Sequence, residues 1–386
     1  MELHHYLEPA RKSWRKVAGI SDDEALGTMV DFFDGAADWF RNHKPDIVIL
    51  GVPEARGGQH RSSASAPGEV RHWLYGLRGI TGQPPIADLG DVKGATLNDR
   101  YQALADVMEQ LAKAQVLVVL IGGSQDLTVS MSHYLKDRRT GQDIAIADAK
   151  LDLDSEEEDF NDEAFIHRVS EKLGNSLDKV SVMGVQQYYL SPRREQYMQK
   201  HYYQWLRLRD LKGDQIEKSE PVLRDASLLS FDFGSLEVPV GSNPFGFSGT
   251  EACRLFWYAG ASDRMGVIGL FNLPVGQEHH HSVSVGALMI WHALEGTAAR
   301  CGDYPYRSLE EYEYKAVFLD DYDENIRFYH NPENDRWWLE VPWYEGTRVV
   351  SCHASVYEEA LRKEIPEIWW MYYLKTKDNQ GTGRII

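Results

Sequence analysis

With 386 residues and 43% hydrophobic content, the chain can bury a sizeable core, which excludes a disordered protein. That length fits one large α/β domain with a smaller appendage, or two ordinary domains. A net charge of −18 argues against a nucleic-acid-binding face and against a polybasic membrane anchor.

The N-terminal Met-Glu-Leu-His-His lacks the charged-then-apolar pattern of a signal peptide. Residues 22–43 then place apolar side chains at helical spacing, with acids early and basic residues late, and predict an N-terminal helical segment within 1–44. The short apolar run from Ile47 to Val52 reads as a buried strand and ends at Pro53 and a Gly/Ser/His-rich loop. Helix-like stretches follow near 67–77, 98–114, 125–136, 163–173 and 248–260, alternating with strand-like runs at 115–121, 143–148, 179–185, 227–233 and 266–271. A helix at about 281–299 closes the unit. Strands alternating with helices predict a three-layer α/β/α domain over 1–302, with a mostly parallel sheet of about eight strands.

From residue 303 the texture changes to alternating runs separated by turn signals such as Asn331-Pro332-Glu333-Asn334, then two helical stretches. Residues 303–386 therefore read as a small, Trp-rich α+β extension with a frayed tail. Cys253, Cys301 and Cys352 lie far apart with no CxxC pair, so neither a disulfide framework nor a zinc knuckle is expected. No apolar run approaches the roughly 20 residues of a bilayer span, and a cytoplasmic protein without membrane insertion is the expectation.

Ligands of open parallel sheets sit outside the carboxyl ends of the strands. Three strand ends here carry polar residues: Ile121-Gly122-Gly123-Ser124-Gln125-Asp126, Asp148-Ala149-Lys150-Leu151-Asp152, and Ser230-Phe231-Asp232-Phe233-Gly234 running on to Pro239. Their order and context resemble the ureohydrolase family, which includes arginase, agmatinase and formimidoylglutamase. Gly51-Val52-Pro53-Glu54 with Ala66-Pro67, and Gly246-Phe247-Ser248 to Glu251, resemble two further family segments. The resemblance spans roughly residues 45–300 and implies the arginase-like fold.

It also implies six ligand positions for two Mn²⁺ ions, which in the family activate a hydroxide against a guanidino or formimino carbon. Carried over position by position, Gln125 stands where a histidine is expected, Lys150 replaces the histidine between Asp148 and Asp152, and Gly234 replaces the aspartate paired with Asp232. The family's substrate-gripping glutamate falls at Phe271 or Asn272, neither of them acidic. An ammonium is no metal ligand at neutral pH. Residues two apart on an extended segment share a face, so Lys150 is expected to join Asp148, Asp152 and Asp232 in a buried ion-pair network in place of the metals. No metal cofactor is favoured. The alternative is Mn²⁺ or another divalent cation in a rearranged site of Gln125, Asp148, Asp152 and Asp232.

Glu278 to His281, at a strand end, and His167, after the acidic stretch from Asp154 to Asp159, are weighed as recruited ligands, with a solvated helix start and a helix-surface histidine as the simpler readings. The acidic stretch itself reads as a solvated loop. Trp337-Trp338 and Trp369-Trp370 either pack the extension against the main domain or expose a partner-binding patch. The favoured expectation is a non-catalytic ureohydrolase-fold protein that binds a protein partner or assembles as a homo-oligomer. The alternative is a divergent, formimidoylglutamase-like hydrolase of linear amidines.

Overall fold

The computed structural model describes residues 2–10, 20–136, 141–153, 163–319, 324–344 and 346–382. Its central element is a ten-stranded sheet built from runs of Val, Ile, Leu and Ala. These are β1 (Leu7–Glu8), β2 (Val30–Phe32), β3 (Ile47–Gly51), β4 (Ile86–Val92), β5 (Leu117–Ile121), β6 (Gln142–Ala147), β7 (Leu177–Val185), β8 (Gln204–Arg207), β9 (Ala226–Asp232) and β10 (Val267–Phe271). The order is β1-β4-β3-β5-β10-β9-β6-β7-β8, with β2 also on β4, and only the β1–β4 pair is antiparallel.

Alternation along the strands splits the core into two layers. Ile47, Ile49, Leu117 and Val119 pack on one side, against the helices Ala66–Leu74, Gly249–Ala261 and His280–Thr297. Val48, Leu50, Val118 and Leu120 pack on the other, against Leu97–Lys113 and Phe165–Leu173. Ser248 and Glu251 close a capping box at the start of Gly249–Ala261, and Thr96 and Asp99 do the same for Leu97–Lys113. Sheet and flanking helices are those expected, with two more strands than the predicted eight.

The N-terminal segment differs from the expectation. Residues 22–43 form two short 3-10 turns, strand β2 and only one turn of helix, Trp39–His43. Val30, Asp31 and Phe32 pair with Ile86, Ala87 and Asp88, so a sheet edge claims backbone that the periodicity assigned to a helix. Residues 125–136 also break up, into 3-10, α and 3-10 pieces.

The C-terminal residues form a second, four-stranded antiparallel sheet, β11 (Glu313–Leu319), β12 (Glu324–Asn331), β13 (Arg336–Trp343) and β14 (Gly346–Cys352), in sequential order. The helices Ala354–Leu361 and Glu367–Thr382 follow it. Helix therefore runs into the tail expected to fray, as far as Thr382.

Neighbouring residues of a strand face opposite ways, and Trp337 and Trp338 are buried on opposite faces of β13. Trp337 stacks on Tyr357 at 4.8 Å. Trp338 stacks on Tyr312 at 4.9 Å and lies under the Arg224 guanidinium at 4.4 Å. Trp369 is buried too, which leaves Trp370, 41% exposed, as the one member of the anticipated aromatic surface that faces solvent. The patch reading is thereby corrected: Trp337 and Trp369 lie in the core of the second sheet, and Trp338 packs the sheet's other face against Arg224 and Tyr312.

Asp303 fixes the segment between the sheets, accepting hydrogen bonds from Tyr312, Asn331, Asn334 and Arg336. No helix among the described residues is long and apolar enough to cross a membrane.

Candidate functional site at the carboxyl ends of four adjacent strands

Strands β5, β10, β9 and β6 are neighbours in the sheet, and their carboxyl ends are level: Ile121 pairs with Leu270, Phe271 with Asp232, and Ala147 with Phe231. The residues that follow meet in one cavity of about 230 Å³. Its lining includes Gln125, Asp148, Lys150, Asp152, Asp232 and Gly234, the six positions singled out from the sequence, together with Asn272.

After β5 the backbone passes close beneath the loop that follows β3. A Cβ on Gly123 would lie 1.7 Å from the Glu54 carbonyl oxygen, so only glycine fits there. Ser124 N–H donates to that same carbonyl at 3.0 Å, and Gln125 enters the cavity at the start of a 3-10 turn. The buried Gln125 amide donates to Ser230 Oγ at 3.2 Å, and Ser230 also contacts Thr128 Oγ1 at 2.7 Å.

Asp232 ends β9, where its Oδ1 accepts from the Gly234 N–H at 3.0 Å and from Asn272 Nδ2 at 3.0 Å. Asn272 follows β10 with a φ of 56°, while Phe271 turns into the core. The sequence left these two open for the family's glutamate position; it is Asn272 that lines the cavity.

Asp148 and Asp152 are both buried. Burial pushes the Asp148 carboxyl well above the usual carboxylate range, and the charges of Asp152 and Asp232 with a hydrogen bond to Asp152 push it further. Burial and the neighbouring like charges thus disfavour ionisation of Asp148, which is hydrogen-bonded to Asp152.

Lys150 does not sit as expected. Strand β6 stops at Ala147, and Asp148 Oδ1 accepts the Lys150 N–H at 2.9 Å, a side-chain-closed turn that ends the strand alternation. The Lys150 side chain is 47% exposed, with its ammonium 3.6 Å from Glu163 Oε1 and 5.9 Å from the centre of the Tyr189 ring. The buried network joining Lys150 to the three aspartates is therefore corrected to a half-exposed pair with Glu163.

Gln59, His60, Ala149, Glu163, Tyr189, Ser242 and Asn243 complete the lining. His60 and Gln59 were missed, although they lie in the Gly/Ser/His-rich loop after β3, a strand end to which the carboxyl-edge rule applies equally. His167 sits on a helix surface against Tyr197 and Glu171, and His281 is exposed at a helix start. The acidic stretch Asp154 to Asp159 lies outside the described residues. Among the described residues, no group of three or more His, Cys, Asp or Glu side chains is placed to hold a metal ion.

The sequence profile of the arginase family matches residues 45–239, just over half of the 386-residue chain. The chain belongs to the arginase family. Among solved structures, a formiminoglutamase of Trypanosoma cruzi with Mn²⁺ is similar at 19% identity and a TM-score of 0.61, covering 67% of this chain and 95% of that one. The formimidoylglutamase of Bacillus subtilis is similar at 16% identity and a TM-score of 0.62, covering 74% and 97%. The agmatine ureohydrolase of Thermoplasma volcanium is similar at 16% identity and a TM-score of 0.51, covering 66% and 90%. Likeness at these identities carries the fold and not the activity. No curated protein sequence matches the chain.

Proposed function

We propose that this arginase-family chain lacks the two-manganese centre and works as a non-catalytic binding or assembly protein. The donor set carries this reading. Manganese is held by imidazole and ionised carboxylate, and no imidazole stands at any of the six positions. Gln125 offers a neutral amide in place of an imidazole, its Nε2 donating to Ser230. Gly234 offers no side chain at all. Lys150 adds a positive charge beside the same cavity. These residues do not fit a pair of divalent ions, and no catalytic step is derived through them.

A soluble, self-associating cytoplasmic protein is part of the same proposal. The alternative of an amidine hydrolase keeps one supporting feature, a carboxyl-lined cavity at the family's position. The deciding assay incubates purified protein with formiminoglutamate, agmatine or arginine, with and without added Mn²⁺. Release of formamide, urea or ammonia above a protein-free control would overturn the proposal; background release in all arms supports it.

A further inference from the structure

Strand β8 is an open edge of the large sheet. It pairs with β7 alone, and no other backbone group among the described residues bonds to Gln204–Arg207. An edge strand points a row of N–H and C=O groups outward, a template for another strand. That row borders a cavity of about 840 Å³, which shares no lining residue with the carboxyl-end site. Trp205 packs toward one core layer and Leu206 toward the other, as neighbours on a strand do. All four residues of β8 nevertheless line the cavity. What the two faces share, away from β7, is the outer backbone edge, so the cavity is a groove running along it.

The facing wall comes from the C-terminal helices. Val356 of Ala354–Leu361 and Trp370, Met371 and Leu374 of Glu367–Thr382 line it. Trp370 and Leu374 are exposed apolar side chains, and their spacing places them one turn apart on the same helix face. The charges of the lining cancel: Lys179, Arg207 and Lys218 stand against Asp210, Glu359 and Glu367. The four β8 residues are half-buried rather than exposed, so the edge is recessed behind the helices. A second sheet would meet those helices before it reached the edge, whereas a single extended segment fits between them.

We propose that this groove binds an extended, uncharged segment of a partner protein, added as a strand to β8 with its apolar side chains against Trp370 and Met371. Strand addition draws affinity from main-chain hydrogen bonds and selectivity from pockets for alternate side chains, and the groove offers one wall of each kind. A lining without net charge gives no attraction to an acidic or a basic segment. The proposal goes beyond the loss of the metal centre and stands whether or not the carboxyl-end cavity takes manganese.

The test is calorimetric titration of the intact protein with a short acetylated and amidated peptide of alternating valine and threonine. The expected result is saturable binding that weakens about tenfold or more when the peptide's backbone nitrogens are methylated, which keeps the side chains and removes the donors. Trp370→Ala, at a half-exposed position that leaves the fold intact, should weaken the unmethylated peptide about tenfold. Counterparts with aspartate or lysine in place of one threonine should bind no better than the uncharged peptide. No binding, equal affinity for the methylated peptide, tighter binding of either charged counterpart, or unchanged affinity in Trp370→Ala would each overturn the proposal. Sedimentation of the parent protein and of Trp370→Ala completes the test: a dimer that the substitution dissociates would overturn it in favour of a second copy of this chain.

Discussion

Lys150 Nζ stands 3.6 Å from Glu163 Oε1, and both side chains are more than 40% exposed beside a cavity in which Asp148 and Asp152 are buried. The ammonium is thus screened by water and contributes little to stability. Lys150→Ala is expected to change unfolding free energy by no more than about 0.5 kcal/mol in urea melts. A loss of several times that amount would mean that the ammonium neutralises the aspartates after all.

The Asp148 carboxyl is the group under strain. Its folded-state pKa is raised by burial first, then by Asp152 and Asp232. The folded protein keeps a proton that the unfolded chain gives up above the ordinary carboxylate value. Stability from this group is therefore full below that value and declines as pH rises toward the folded one. Asp148→Asn mimics the protonated form, so it should flatten the decline and raise stability at neutral pH. Chemical denaturation of both proteins across the acidic-to-neutral range reads this directly; identical pH slopes would contradict it.

Trp338 of β13 and Trp370 of the last helix separate packing from surface. Trp338 is fully buried between Tyr312 and Arg224, and Trp338→Ala should cost about 3–5 kcal/mol. Trp370→Ala, at a 41% exposed position, should stay within about 0.5 kcal/mol. Thermal melts followed by circular dichroism rank the two, and a reversed order would refute the assignment of faces.

Asp303 predicts how the segment between the two sheets responds to acid. Burial alone would raise its pKa, but hydrogen bonds from Cys301, Arg336, Asn334 and Asn331 hold it well below the ordinary value. A depressed folded pKa means stability present above the unfolded carboxylate value and lost as pH falls through the folded one. Asp303→Asn leaves Arg336 with Glu220 as its remaining charged partner and weakens the charged hydrogen bonds to Asp303, so it should cost about 1–3 kcal/mol at neutral pH. The variant should also lose less on acidification than the parent, as read by paired denaturation curves.

Much of the fold was legible because buried parallel strands write themselves as continuous apolar runs; β3, β5, β6, β7, β9 and β10 fall where those runs lie. Strand β4 was hidden by Asp88 and Asp91, polar residues inside a strand that Arg71 and Tyr75 satisfy from the preceding helix and its C-cap. Strand β2 was hidden because its pairing with β4 is non-local, and such pairing overrides local periodicity. The site was legible as a set of positions, since strand ends are readable, but not as a set of directions. Asp148 closes a turn on Lys150 N–H, and no alternation rule survives such a turn. The cavity at Lys179 left no local signature, because its walls come from segments nearly two hundred residues apart, Lys179 and Leu374 among them.

The account's central claim is met most directly by measuring metal. The protein is expressed in manganese-supplemented medium, desalted, and its manganese per chain determined by mass spectrometry, with a melting curve in added Mn²⁺ beside it. A ligand that binds only the folded state must raise the melting temperature. The account predicts no stoichiometric manganese and an unmoved melting temperature; two manganese ions per chain, with a stabilised fold, would contradict it.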